Sequence, residues 1–303
     1  MTPQAEILQG LLLPQASISP KYFYDAAGSA LFEQITLLPE YYPTRVERQI
    51  MTTHASDIAC RMGAGVTVIE PGAGNCEKAR ALCELIHPRL FVALDISEDF
   101  LHQAVAGLRA ALPGVEVSAV VADLTRAITL PVDLPMAQRL VFYPGSSIGN
   151  FDPPQALALV TRLRGLLADD GALLIGVDLV KDMAVLHAAY DDAQGVTAAF
   201  NLNVLKHVNR VVGSDFDVTQ WQHLAFFNPV ASRIEMHLQA STATDVHWPG
   251  GGRSFAQGER IHTENSYKYQ VADFVELLKR AGLSQTQVWT DPDNWFAVIL
   301  AHP

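Results

Sequence analysis

Cysteine is scarce: Cys60, Cys76 and Cys83 are the only three in 303 residues. An odd number without paired spacing argues against a disulfide framework and for a reducing compartment. Basic runs are absent. The 21 Lys and Arg are scattered among 32 Asp and Glu, for a formal net charge of -11. That balance repels a polyanion, so nucleic acid is not an expected partner, whereas a cationic ligand suits it. An acidic balance is equally ordinary in soluble enzymes. Long apolar runs are also missing. The longest core-like run, ALLIGVDLV, contains Asp178 and is too short to span a bilayer. The opening MTPQAEILQGLLLPQ lacks the basic start and apolar stretch of a signal peptide. The expectation is a cytoplasmic protein with no membrane partner, acting as a monomer. The ten His include no HExxH, and neither paired cysteines nor ligand-spaced carboxylates occur, so no metal is expected. Nor is there a Gly-x-Ser-x-Gly nucleophile elbow; Gly145-Ser146-Ser147 does not form one.

What is present is the composition of a packed globule: 49% hydrophobic and 17% charged residues, with no repeat or low-complexity tract. Pro43-Thr44-Arg45-Val46-Glu47 reads as a helix start, Thr44 capping and Glu47 reaching back, with the helix running to about Met62 and stopping at Gly63. Short β-branched runs then alternate with helical segments: VTVIE from Val66, LFVALD from Leu90, VEVSAVVAD from Val115 to Asp123, RLVFYPG from Arg139, and ALLIGVD from Ala172. Asp152-Pro153-Pro154 is a capped helix start between the last two. Such alternation predicts a parallel, doubly wound α/β sheet with helices on both faces. The pattern breaks after Lys181. Residues 182–208 read as helices and 212–264 as short alternating segments. A helix then resumes from Val271 to Ala281, and TQVWTD and WFAVILAHP close the chain as an antiparallel hairpin. The expected organisation is a core of residues 63–181 and 270–303, interrupted by an inserted lobe at 182–269. Residues 1–62 join that insertion in a second, α+β, substrate-binding lobe.

Chemistry concentrates at the strand ends. The turn Glu70-Pro71-Gly72-Ala73-Gly74-Asn75 has glycines where a backbone can approach a ligand closely, although an ordinary tight turn looks the same. A dinucleotide fingerprint wants a small residue near Glu77, where a pyrophosphate meets the helix; an acid there repels phosphate. S-adenosylmethionine has a sulfonium, an ammonium and no phosphate, so the acidic loop suits it. Asp95 ends the next strand about twenty residues on, the separation at which an acid meets ribose hydroxyls. Asp123 ends the third, the place for a group near the adenine. Each acid alone reads as a surface or capping residue; together the three positions describe one cofactor crevice. The fourth strand enters the loop Tyr143 to Phe151, which lies beside the reactive part of the cofactor in such sheets. There Asn150 offers a donor and an acceptor, or simply closes a turn.

Five segments go further: KYFYDAAGSALFEQITLLPEYYPTR (Lys21 to Arg45), the cofactor loop with Glu77-Lys78, YPGSSIGNF (Tyr143 to Phe151), AYDDAQGVTAAFNLNVL (Ala189 to Leu205) and IHTENSYK (Ile261 to Lys268). With them the chain resembles, over nearly its whole length, the S-adenosylmethionine-dependent L-histidine Nα-methyltransferases, which make hercynine for ergothioneine synthesis. The resemblance implies a Rossmann-like class I methyltransferase core. It implies that Gly72, Gly74, Lys78, Asp95, Asp123 and Leu124 bind S-adenosylmethionine. Asn150 and Tyr190 would hold the α-carboxylate of a small amino-acid substrate, and Gly145 and Tyr24 would lie by its amine, Tyr24 or water taking the proton. Tyr41, Glu264 and Ser266 would grip the imidazole, with Met236 packing by the ring. Two features depart from the family pattern: Pro71 in the cofactor loop, which bears on binding strength, and Asn265 and Tyr267 around the Glu264–Ser266 pair, which bear on ring recognition. From the residues alone, Tyr41 and Tyr190 also read as packing aromatics, Met236 as core and Glu264 as a solvated acid. Methylation of another amino acid on this scaffold, and a non-catalytic S-adenosylmethionine-binding protein, are the rival readings.

Overall fold

Short apolar strands separated by amphipathic segments bury their side chains by lying side by side under helices, and the computed structural model of the chain does this. It describes residues 2–63, 65–124, 126–132 and 134–303. In chain order the elements are α1 (Pro3–Leu11), α2 (Ala26–Leu37), α3 (Tyr42–Thr53), α4 (Ala55–Met62), β1 (Thr67–Pro71), α5 (Glu77–Ile86), β2 (Leu90–Asp95), α6 (Glu98–Ala111), β3 (Glu116–Val121), β4 (Arg139–Tyr143), α7 (Pro153–Arg164) and β5 (Ala172–Asp178). They continue with α8 (Met183–Tyr190), α9 (Val196–Val212), β6 (Trp221–Asn228), β7 (Arg233–Ala240), β8 (Thr244–Trp248), β9 (Gly251–Phe255), β10 (Arg260–Tyr267), α10 (Val271–Arg280), β11 (Gln285–Thr290) and β12 (Phe296–His302). Two compact units result, one of residues 1–42 and 181–267, the other of 43–180 and 268–303.

The second unit holds a seven-stranded sheet in the order β11-β12-β5-β4-β1-β2-β3. Strands β1 to β5 pair in parallel, and β12 is antiparallel to both β5 and β11. The central strands are buried along their length because helices cover both faces. Asp152 caps α7 in a full capping box with Gln155, as its Asp-Pro-Pro start predicts. Strand order reverses between β1 and β4, so the crevice at their carboxyl ends is the place for a ligand.

Several boundaries differ from the sequence expectation. Residues 43–62 fold with the sheet, not with the lobe of the N-terminal segment. The reason is packing: Ile58 is fully buried, and the Trp289 indole N–H donates to Asp57 at 3.0 Å. The single expected helix is two, α3 and α4, broken at His54. It also begins at Tyr42, so Thr44 and Glu47 lie inside it and do not form its cap. Strand β3 ends at Val121, two residues short of Asp123. The chain rejoins the sheet at Lys268, whose ammonium pairs with Asp178 at 2.7 Å in a contact from which solvent is excluded.

The first unit is built on α9. Asp192 accepts from the amides of Val196 and Thr197 at 3.0 and 2.7 Å, which starts this helix after Gly195. Helices α1 and α2 pack on α9, and α8 and α9 lie on the antiparallel sheet β10-β7-β6. Residues 16–18 run along the outer edge of β10, where Ile18 N–H donates to His262 O and His262 N–H to Ala16 O. The hairpin β8–β9 turns at Pro249-Gly250, within the PGGGR segment.

Candidate active site

In the second unit the β1–α5 turn is held by backbone bonds from Gly72 and Ala73 to Leu94 O, which bind it to β2. Gly72 has φ +72, a left-handed backbone that a side chain resists, and open space at its missing Cβ apart from Leu124 Cδ1 at 3.6 Å. Asp95 stands at the end of β2 and accepts from Gly74 N–H at 3.1 Å and Ser97 N–H at 3.0 Å. Each oxygen has a second lone pair for a further donor. Asp123 follows β3 and is half-buried, with Arg126 at 3.4 Å. Arg162 holds the next carbonyl, donating to Leu124 O at 3.0 Å. Gly145 (φ +78) follows β4 with its Cα facing Lys78, and Asn150 ends the short helical turn Ser147–Asn150 half-buried.

Two residues that sequence reasoning did not assign belong to this cluster. Glu47 reaches from α3 to accept from Lys78 Nζ at 2.6 Å and from Gly145 N–H at 2.8 Å. Glu70, at the end of β1, is buried, and its Oε2 has no hydrogen-bond partner among the described residues. Burial pushes its carboxyl well above the usual range; Lys78 opposes this, and Glu47 and Asp95 reinforce it. The same burial pushes the thiols of Cys76 and Cys83 up to about 12, so neither is a nucleophile. Two carboxylates, Glu47 and Asp95, stand with one ammonium around the buried Glu70 carboxyl, a setting that favours a cation over a phosphate. The strand-end position of Glu70 was a signal available in the sequence; for Glu47 there was none beyond its helix, since its partners are distant in the chain.

In the first unit the decisive feature is a bulge in β10. The register with β7 pairs His262 with His237, then slips, so that Glu264 faces Met236 and Ser266 faces Ile234. The extra residue, Thr263, is fully buried and donates to Asn201 of α9 at 2.8 Å and to Met236 O at 3.0 Å. After the slip Glu264 and Ser266 share the helix-covered sheet face with Met236. Glu264 is 8% exposed and Ser266 5%, so the solvated-acid reading of Glu264 is wrong. Tyr190 Oη and Ser266 Oγ are hydrogen-bonded at 2.7 Å. The Tyr190 ring lies edge-on to Tyr41 at 6.4 Å, and Tyr24, Phe32 and Phe200 continue the aromatic wall.

Asn265 and Tyr267 point the other way. Asn265 Oδ1 is 2.8 Å from His262 Nε2, and Tyr267 Oη accepts from Arg233 at 2.6 Å. Arg233 also donates to Glu235, which Asn228 and His237 bond as well. Burial pushes the Glu235 carboxyl up, but these bonds outweigh it and hold it at about 2. Asn265 and Tyr267, which depart from the family pattern, therefore belong to a polar network on the opposite sheet face, and the bulge is the physical reason.

His223 anchors Tyr190 from behind. Its Nε2 lies 2.8 Å from Tyr190 O and its Nδ1 2.8 Å from Asn201 Nδ2. A carbonyl only accepts, so Nε2 carries the proton and Nδ1 accepts from the amide. Burial lowers its pKa and keeps that neutral form.

A seven-stranded sheet of this order, with acids closing β1 and β2 and a glycine turn at the reversal point, defines a Rossmann-like S-adenosylmethionine-dependent methyltransferase. A family model described as "Histidine-specific methyltransferase, SAM-dependent" matches residues 3–303. The chain belongs to this family of histidine-specific, S-adenosylmethionine-dependent methyltransferases. The histidine N-alpha-methyltransferase of Mycolicibacterium smegmatis is 42% identical to it over 303 residues, covering 98% of this chain and 93% of that protein. That of Mycobacterium tuberculosis is 38% identical with the same coverages. Ergothioneine biosynthesis protein 1 of Neurospora crassa is 29% identical over 299 residues, covering 92% of this chain and 32% of that much longer protein. The donor set fits the cofactor: Asp95 keeps lone pairs for a diol, Glu70 has a buried oxygen without a donor, and acids predominate.

Proposed function

We propose that the enzyme methylates the α-amine of L-histidine, in succession, to give trimethylhistidine (hercynine), the first step of ergothioneine biosynthesis, in the cytoplasm. The observation that carries this reading is the buried Glu264–Ser266 pair on the helix-covered face of β10, opposite Met236 and beside Tyr190. An imidazole has polar N–H and N edges on an aromatic ring. A carboxylate and a hydroxyl suit those edges, and a thioether suits the ring face. Three free cysteines support a reducing compartment.

Bound S-adenosylmethionine supplies an electrophilic methyl group. The chain's own residues hold and orient. Gly72, Gly74, Asp95, Asp123, Leu124 and Lys78 are assigned to the cofactor, Asp95 to the ribose hydroxyls. Asn150 and Tyr190 are assigned to the substrate carboxylate, Gly145 and Tyr24 to the amine, and Tyr41, Glu264, Ser266 and Met236 to the ring. The nucleophile is an unprotonated amine, so positioning and exclusion of water are the main work, and no strong base is required beyond Tyr24 or water. Glu264 selects histidine over a ring such as that of phenylalanine, which offers the buried carboxylate no N–H donor.

The test is a panel of amino acids incubated with S-adenosylmethionine and read by fragmentation mass spectrometry. Histidine is expected to gain methyl groups on its α-nitrogen up to the trimethyl product, with tryptophan and phenylalanine far slower. Methylation on the ring nitrogens, or faster turnover of another amino acid, overturns the reading.

A further inference from the structure

Glu47 is a carboxylate in a place built for it. It is 5% exposed, in the second turn of α3, where a solvated acid would cost nothing and a buried one must be held. Its two oxygens are used separately, Oε2 by Lys78 and Oε1 by the Gly145 amide. Two glycines make the room. A Cβ at Gly176 of β5 would lie 2.0 Å from Glu47 Oε1, and one at Gly145 would lie 2.8 Å from Lys78 Nζ. One side chain thus ties three segments together: the start of α5, the loop after β4 and the middle of β5.

We infer that Glu47 is a positioning residue for cofactor binding, acting through Lys78 and Gly145. The inference rests on the proposed assignment of Lys78 to the cofactor, whose one anionic group, the amino-acid carboxylate, is the group an ammonium pairs with. A lysine alone is a flexible four-carbon stem bearing a point charge, and half-exposed lysines occupy many rotamers. The 2.6 Å charge-assisted bond to a buried acid confines the Lys78 ammonium to one position. The same acid accepts from the amide of Gly145, which has a left-handed backbone, and so holds that peptide. Glu47 therefore orders the end of the ligand that carries the carboxylate and ammonium, and has no part in holding the nucleoside. Replacement by glutamine keeps the shape but sets an NH2 against one of two donors, so either Lys78 or the Gly145 amide loses its acceptor.

Two ligands separate the effect from general damage. S-adenosylhomocysteine carries the amino-acid carboxylate and ammonium; 5′-methylthioadenosine is the same nucleoside thioether without them. By calorimetry, Glu47→Gln should weaken S-adenosylhomocysteine at least tenfold and 5′-methylthioadenosine less than twofold. Glu47→Asp keeps the charge but is a methylene too short to reach both partners, and should show the same selective loss. Equal weakening of both ligands, or no weakening of S-adenosylhomocysteine, overturns the inference. Lys78→Met tests the underlying assignment separately. If Lys78→Met discriminates between the ligands and the Glu47 variants do not, only the role of Glu47 fails. If Lys78→Met does not discriminate, the assignment of Lys78 fails first. In the Lys78→Met background, Glu47→Gln should add less than threefold to the loss for S-adenosylhomocysteine.

Discussion

The two units present their functional groups by different geometries. In the sheet unit, Glu70, Asp95 and Asp123 occupy or closely follow the carboxyl ends of consecutive parallel strands, so topology alone gathers them. In the other unit, Glu264, Ser266 and Met236 meet because one bulged residue, Thr263, shifts β10 by half a pleat against β7. A strand end tolerates small changes in length, because the crevice follows the strand. A bulge does not: without the extra residue, alternation would turn Glu264 and Ser266 to the opposite face. On the proposed reading, the sheet unit brings cofactor-type chemistry by architecture, and the other unit brings selectivity by a local register device. Each variant below challenges that contrast by asking whether an effect stays with one ligand.

The largest expected effect is at Asp95. Asp95→Ala should weaken S-adenosylmethionine binding by roughly ten- to 150-fold, the equivalent of about 1.5–3 kcal/mol for hydrogen bonds to a charged group. Calorimetry on the folded variant checks it, with histidine titrated in parallel. Unchanged cofactor affinity removes Asp95 from the ribose site.

Next comes Glu264. Glu264→Ala should lower kcat/KM for histidine by roughly five- to 150-fold, about 1–3 kcal/mol, while leaving the Kd of S-adenosylhomocysteine within about twofold. Phenylalanine should suffer less. The ratio of histidine to phenylalanine kcat/KM in wild type and variant is the deciding measurement; an unchanged ratio rejects Glu264 as selector.

The units also oppose each other in pH dependence. Burial lowers the pKa of His223, His237 and His262 below the ordinary 6.5, so below that pH the unfolded chain binds protons the folded one refuses. Their contribution is complete above about pH 6.5 and is lost as pH falls through the lowered values; Glu235 extends the loss below 4.5. Glu70 has the reverse sign. Folded, it keeps its proton well above 4.5, so stability tied to it is present below the ordinary value and is lost as pH rises through the raised one. Glu70→Gln should therefore raise the Tm of ligand-free enzyme at pH 8 by about 1–2 °C, the shift that roughly 1 kcal/mol produces at this size, and change it little at pH 4.5. Wild-type Tm should fall between pH 7 and 5.5, and His223→Gln should flatten that fall. Thermal scans across the range check both signs.

The sequence exposed these features unevenly, for physical reasons. The five parallel strands and closing hairpin were legible because buried parallel strands are continuous apolar runs with turn residues at their ends. Asp95 was legible because its distance from the glycine turn is set by one helix and one strand. Grouping Glu264 and Ser266 with Tyr41, Tyr190 and Met236 came from the resemblance alone, since a bulge leaves no periodic trace; uninterrupted alternation across Ile261–Tyr267 puts these residues on the wrong face. Glu47 was misread as a capping residue. The Thr-x-x-Glu spacing is local, whereas its partners Lys78 and Gly145 lie 31 and 98 residues away. The boundary set at residue 62 failed likewise, because α3 and α4 look like any amphipathic helices and only packing assigns them to the sheet.

The smallest expected effect is the sharpest test of the bulge. Asn265 lies between Glu264 and Ser266 in sequence and Tyr267 follows them, and both lie on the other face of β10, engaged with His262 and Arg233. If the slip at Thr263 governs the site, these neighbours are structural and not selective. Tyr267→Phe removes one hydrogen bond from Arg233, which retains Glu235, so it should cost about 0.5–1.5 kcal/mol of stability. Asn265→Ala should cost a similar amount through His262. In neither variant should the histidine to phenylalanine kcat/KM ratio move more than about twofold, because no atom on the Glu264 face has changed. The stability loss acts as an internal control, showing that the substitution was felt by the sheet. A ratio that shifts tenfold with Tyr267→Phe, with Tm unchanged, would mean that the aromatic hydroxyl reaches the ring pocket. Selectivity would then belong to both faces of the strand, and the contrast between strand-end chemistry and register-set chemistry would fail at the residue chosen to test it.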